Sequence, residues 1–203
     1  RVYGDDLFEA IYGSVDPVPA ARVRMVEDGE ALPLGDATLR FLHTPGHARH
    51  HLVVHDPAAD TVFTGDTFGL AYPQLQRAGR FAIASTSPTD FDAAEALASI
   101  DRILALGTST ASLTHFGTID RLEEAAAQLR WWIDRSATLV DEAAAMEPEA
   151  AETHLHAALE RAMAEAIERR GLAVDDDDRS LLEMDLALNA QGLAVAAARR
   201  REA

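Results

Sequence analysis

Three side chains able to bind divalent cations stand in similar settings: His47 in Thr44-Pro45-Gly46-His47, Asp66 in Thr64-Gly65-Asp66-Thr67, and His115 in Leu113-Thr114-His115-Phe116-Gly117. Each follows a stretch that reads as β-strand, and each has a glycine close by. A neutral imidazole held in a loop is a competent ligand for zinc, iron or manganese. A carboxylate has two oxygens, so one Asp can bridge two cations at the ~3.5–4 Å spacing of two-metal sites. Taken singly, each residue is also an ordinary loop histidine or turn aspartate. Taken together, they predict a metal centre with His47 on one cation, Asp66 between the two and His115 on the other.

The elements that would position them are β-rich as far as Asp66. Leu7, Phe8, Ile11 and Tyr12 share a helical face within residues 1–16, and Pro17 and Pro19 break that helix. Arg22–Val26 reads as a strand leading to an Asp28-Gly29 turn, with a second turn at Gly35-Asp36 and a strand over Thr38–His43. His51–His55 and Thr61–Thr64 flank Asp56-Pro57-Ala58-Ala59-Asp60, a hairpin loop. An amphipathic helix over Asp90–Leu106 ends at Gly107, and Ser112–His115 is the last predicted strand. Past Gly117 the pattern is helical only. Leu122, Ala126, Leu129, Ile133, Ser136 and Val140 follow a three-to-four spacing; Pro148 opens a second helix, which Arg169-Arg170-Gly171 closes. Asp175–Asp178 precedes a third helix, where N-capping accounts for the acidic run and calcium binding does not, because the EF-hand Gly and Glu are missing.

Other polar residues have ordinary roles as the first expectation. His51 either supports the metal ligands by a hydrogen bond or lies in the core or on the surface. His50 reads as structural, His43 and His55 lack a partner ligand at useful spacing, and His154 and His156 read as solvent-facing. Thr67 and Thr114 are placed to support their neighbouring ligands. Phe68, Tyr72, Phe81 and Thr86, in an irregular stretch, form either the wall of a substrate pocket or ordinary loop packing.

Composition narrows the classes. At 203 residues and 48% hydrophobic, the sequence can bury a core and is not disordered as a whole. No apolar run approaches the ~18 residues of a membrane span. The formal net charge is −16 and all 18 basic residues are Arg, a balance that argues against nucleic acid as a partner. Cysteine is absent, so disulfides, thiolate zinc sites and a cysteine nucleophile are excluded, and a metal must be held by His and carboxylates. That absence fits a cytoplasmic protein.

The order and neighbours of the three motifs closely resemble the later metal motifs of the metallo-β-lactamase-fold hydrolases. The resemblance covers roughly residues 20–120. It implies the C-terminal half of an αββα sandwich (α/β, α+β), followed by an all-helical extension, with the boundary between residues 119 and 120. It further implies that His47 joins two upstream His on one metal, that Asp66 bridges, and that His115 joins an upstream Asp and His on the other. The first motif of the superfamily, His-x-His-x-Asp-His, does not occur in this sequence. Ala48-Arg49-His50-His51 departs from the commoner continuation after the metal His, and the helical extension is similar to that of glyoxalase II. The cationic residues that hold glutathione there have no evident match.

The implied function is a metal-dependent hydrolase, using a metal-bound hydroxide on an ester, thioester, amide or related small-molecule bond, with Asp66 as the catalytic residue. The implied cofactors are two divalent ions, zinc first, with iron or manganese chemically suitable. Expected partners are a small-molecule substrate and a second copy of the chain joined through the helical extension, with neither nucleic acid nor membrane. With three ligands for two ions, these 203 residues alone are expected to bind metal weakly and catalyse little or nothing. Two other readings remain: a non-catalytic interaction module or degenerate fragment, and a mononuclear iron enzyme similar to the persulfide dioxygenases.

Overall fold

The computed structural model describes residues 9–10, 13–14, 16–87 and 90–202. The predicted helical face of Leu7, Phe8, Ile11 and Tyr12 lies outside the described residues. A 3-10 turn at Ala20–Arg22 leads to six strands: β1 (Ala31–Leu34), β2 (Ala37–His43), β3 (Leu52–Asp56), β4 (Thr61–Phe63), β5 (Thr110–Ser112) and β6 (Thr118–Ile119). They form one sheet in the order β1-β2-β3-β4-β5-β6. Every neighbouring pair is antiparallel except β4–β5, which is parallel. A parallel pair needs a crossover, and helix α1 (Ala93–Leu104) supplies it. Three further helices follow: α2 (Leu122–Ala144), α3 (Pro148–Arg170) and α4 (Asp176–Glu202). The architecture is thus mixed α/β, a six-stranded sheet with a C-terminal helical region.

Alternation along the strands assigns the two faces of the sheet. Val53, Val62, Ala111 and Ile119 are buried in one cluster with Ile100 and Ile103 of α1 and Leu122 and Leu129 of α2. On the opposite face, Phe41, Val54 and Phe63 lie in register across β2, β3 and β4, and Phe63 remains 47% exposed. The helices pack on one another, α1 on α2 and α4 on both α2 and α3. The buried cluster extends into them through Leu155 and Leu159 of α3 and Leu182 and Leu193 of α4.

Capping fixes the helix ends. Asp92 accepts from the Glu95 amide at 3.0 Å at the start of α1. Pro148 opens α3, and Gly171, at φ +63°, closes it. Asp175 accepts from the Asp178 amide at 2.9 Å, and Asp178 accepts from the Asp175 amide at 3.2 Å. This reciprocal pair is the capping role expected of the acidic run.

Three sequence expectations need correction. Arg22–Val26 is not a strand, because Ala31–Leu34 occupies the edge of β2 and leaves it no ladder partner. The strand predicted at Ser112–His115 stops at Ser112. Phe116 and Gly117, at φ +72° and +92°, then turn the chain back, and β6 lies where only helix was expected. The first long helix is shorter than Asp90–Leu106, starting after its Asp92 cap.

Candidate metal centre

Topology brings the three predicted ligands to one edge. β2 and β4 are both antiparallel to β3, and β5 is parallel to β4, so β2, β4 and β5 run the same way. The loops after them, carrying His47, Asp66 and His115, therefore leave the same end of the sheet. The Thr64 amide donates to the Ser112 carbonyl at 3.0 Å, keeping the last two loops adjacent.

Each loop is held by local bonds. Gly46, at φ +118°, brings its backbone against α1, and a Cβ there would lie 2.3 Å from the Ala96 nitrogen. The Asp92 amide donates to the Gly46 carbonyl at 2.9 Å, and the Ser99 hydroxyl to the Pro45 carbonyl at 2.7 Å. The His47 side chain is consequently only 12% exposed. Its Nδ1 lies 3.4 Å from the Ser85 carbonyl, a group that can only accept, and its Nε2 faces Asp66.

Asp66 stands between the two histidines. His47 Nε2 is 3.6 Å from Oδ2, and His115 Nε2 is 3.7 Å from Oδ1. Both separations exceed a normal hydrogen bond, and Oδ1 is buried without any hydrogen-bond partner. A buried carboxylate oxygen lacking a donor is costly, and a cation would satisfy it. Among the described residues, no group of three or more His, Cys, Asp or Glu side chains is arranged to hold a single ion. Each imidazole faces a different oxygen of Asp66. The donor set therefore fits divalent cations in its chemistry while supplying fewer ligands than either ion takes.

His51 is the main support. Its Nε2 accepts from the Asp66 amide at 3.2 Å, while Nδ1 lies 2.9 Å from the Thr67 hydroxyl and 3.0 Å from that of Thr44. Thr67 in turn donates to the Thr44 carbonyl at 3.1 Å. Burial, followed by repulsion from His47, lowers the His51 pKa and keeps the ring neutral. The approach is so close that a Cβ on Gly65 would sit 2.4 Å from His51 Nε2.

Phe68, Tyr72, Phe81 and Thr86 are all buried, so they are packing residues and not a pocket wall. Tyr72 stacks on Phe116 beside His115, with ring centroids 3.9 Å apart, and donates to Asp185 of α4 at 2.5 Å. Burial and that hydrogen bond raise the Tyr72 pKa, and burial raises that of Asp185. His50 and Thr114 are exposed. His55 is buried, His154 pairs with Glu142 at 3.0 Å and His156 with Glu160 at 3.6 Å, none at this edge. A groove of about 630 Å³ lined by Arg49, Asp90, Phe91, Val140, Arg199 and Arg200 touches none of the three ligands. Ser85 escaped sequence reasoning, because it faces His47 through a backbone carbonyl and leaves no motif.

Comparison with known proteins agrees with this fold. The chain is 29% identical over 120 residues to a metallo-beta-lactamase fold-containing protein of Sulfurisphaera tokodaii, covering 59% of this chain and 42% of that protein. The crystal structure titled for the same protein from Sulfolobus tokodaii superposes with a TM-score of 0.57 at 22% identity, over 95% of this chain and 59% of that one. Shorter matches join it to the acyl-coenzyme A thioesterase MBLAC2 of Gallus gallus, 35% identical over 48 residues, covering 24% of this chain and 17% of that protein. A hydroxyacylglutathione hydrolase of Mesorhizobium japonicum is 45% identical over 42 residues, covering 21% and 16%. The chain thus spans about half the length, or less, of the relatives it matches. The family model described as the metallo-beta-lactamase superfamily matches residues 3–115, a stretch that carries all three loops, and the chain belongs to that superfamily.

Proposed function

We propose that this chain supplies the later ligands of a metal-dependent hydrolytic centre, which in the complete protein cleaves an ester, thioester, amide or related bond of a small molecule. The observation that carries the reading is Asp66, a carboxylate with a buried, unpartnered oxygen and an imidazole near each oxygen. Among the bond types, a thioester is favoured by the names of the thioesterase and of the hydroxyacylglutathione hydrolase. Two divalent ions, zinc first, belong to this reading, with iron or manganese equally compatible with His and carboxylate donors, and the lack of cysteine suits a cytoplasmic setting.

When bound, divalent cations acidify water toward neutral pH and polarise the bond to be broken. The chain's own residues do the positioning. The Ser85 carbonyl faces His47 Nδ1, an orientation that leaves Nε2 toward Asp66. His51, neutral and fixed by Thr44 and Thr67, orients the Asp66 backbone. Asp66 links the two halves of the site, and His115, on the more exposed loop, completes the set from the other side.

Zinc titration calorimetry tests the reading. Weak binding is expected for the 203-residue chain, retained in His154→Ala and abolished in Asp66→Ala. Equal binding by both variants would reject the assignment. In the full-length protein the same pair should split in thioester hydrolysis, with Asp66→Ala inactive and its metal content reduced.

A further inference from the structure

We propose that Asn189 of α4 is a positioning residue for His47, acting through the Ala84–Thr86 segment. The interior of a helix is a poor place for a buried amide, which must be fully hydrogen-bonded to be tolerated. Asn189 is only 9% exposed, and both ends of its amide are used on one target. Its Oδ1 accepts from the Thr86 amide at 2.8 Å, and its Nδ2 donates to the Ala84 carbonyl at 3.1 Å. Its backbone carbonyl also accepts from the Thr86 hydroxyl at 3.2 Å.

The segment so gripped has no regular structure of its own. Upstream it is anchored where Ile83 and Leu70 exchange backbone bonds of 2.9 and 3.1 Å. Beyond that bridge, Asn189 holds the residues on either side of Ser85, and the Ser85 carbonyl is the group facing His47 Nδ1. A residue more than a hundred positions from His47 thereby places the carbonyl that faces its Nδ1. The consequence for metal binding rests on His47 being a ligand, whereas the contact chain does not.

The test reads the His47 ring by long-range proton–nitrogen NMR on the metal-free 203-residue chain, at mildly alkaline pH where imidazole is neutral. The wild type should show His47 protonated at Nδ1. Asn189→Ala should lose that preference, while Leu193→Ala, a destabilising change on the same helix, should keep it. Should Asn189→Ala not fold, Asn189→Asp decides: it cannot donate to the Ala84 carbonyl, so the Nδ1–H signal should weaken. An Nδ1 proton unchanged in the Asn189 variants, absent in the wild type, or lost equally in Leu193→Ala would overturn the proposal. Zinc titration of the same proteins reports the ligand role separately, with about tenfold weaker binding expected for Asn189→Ala. A changed tautomer with unchanged zinc affinity would support the positioning role and count against His47 as a ligand.

Discussion

His51 binds no cation in this scheme, yet it is the side chain through which Asp66 is held. Removing it leaves the Asp66 amide and the Thr67 hydroxyl without their ring partner. His51→Ala should therefore cost about 1–3 kcal/mol of stability, read as a lower urea midpoint, and weaken zinc binding about tenfold or more. His51→Gln should recover part of both, because its amide oxygen can accept in place of Nε2. The meeting of His47, Asp66 and His115 was legible in the sequence because each stands at the end of a strand stretch beside a turn-forming glycine. The position of His51 was half legible: its place in the sequence allowed a supporting hydrogen bond, the core or the surface, and the bond from the Asp66 amide appears only in the structure. Ser85 was illegible because any residue offers a carbonyl.

At the scale of elements, α4 is tied to the region behind the site at three points. Asp185 receives the Tyr72 hydroxyl, Asn189 grips Ala84 and Thr86, and Asp178 pairs with Arg77, in the turn after Tyr72. The Arg77 hydrogen bond is the largest cause lowering the Asp178 pKa. A carboxyl with a depressed folded pKa stabilises the fold above its unfolded value, and the contribution disappears as pH falls through the folded one. Melting temperature should thus fall on acidification below about 4, the range of a free carboxyl, and Asp178→Asn should flatten that limb. A limb equally steep in the variant would assign the effect to other carboxylates. The helices were readable from apolar spacing and from Pro148, Gly171 and the acidic cap. What α4 touches was not, because Tyr72 and Asp185 are far apart in sequence and neither belongs to a motif. β6 was missed because two residues are too few to show alternation.

For the whole molecule, charge and topology act in different ways. A net charge of −16 on a chain of this size is self-repelling, and most of its ion pairs include at least one well-exposed partner, where such pairs contribute little. Raising salt from about 0.01 M to about 0.1 M shortens the screening length from about 30 Å to about 10 Å, so melting temperature should rise by a few degrees. A fall would show that attractive pairs outweigh repulsion. The fold class was legible because strand texture dominates up to Asp66 and helix texture dominates after Gly117, with one helix and one short strand between. The sidedness of the sheet was not, since Phe63 and Val62 look equally apolar and only the register sends one to the core and the other to the open face. The parallel pairing of β4 with β5 also orders events in time. β2, β3 and β4 join through short connections, so His47 and Asp66 can meet early. β5 must wait for closure of the long crossover that contains α1, an entropically slower step. His115 is therefore the late arrival at the site during folding, and a cation captured before that closure would meet only one of the two imidazoles.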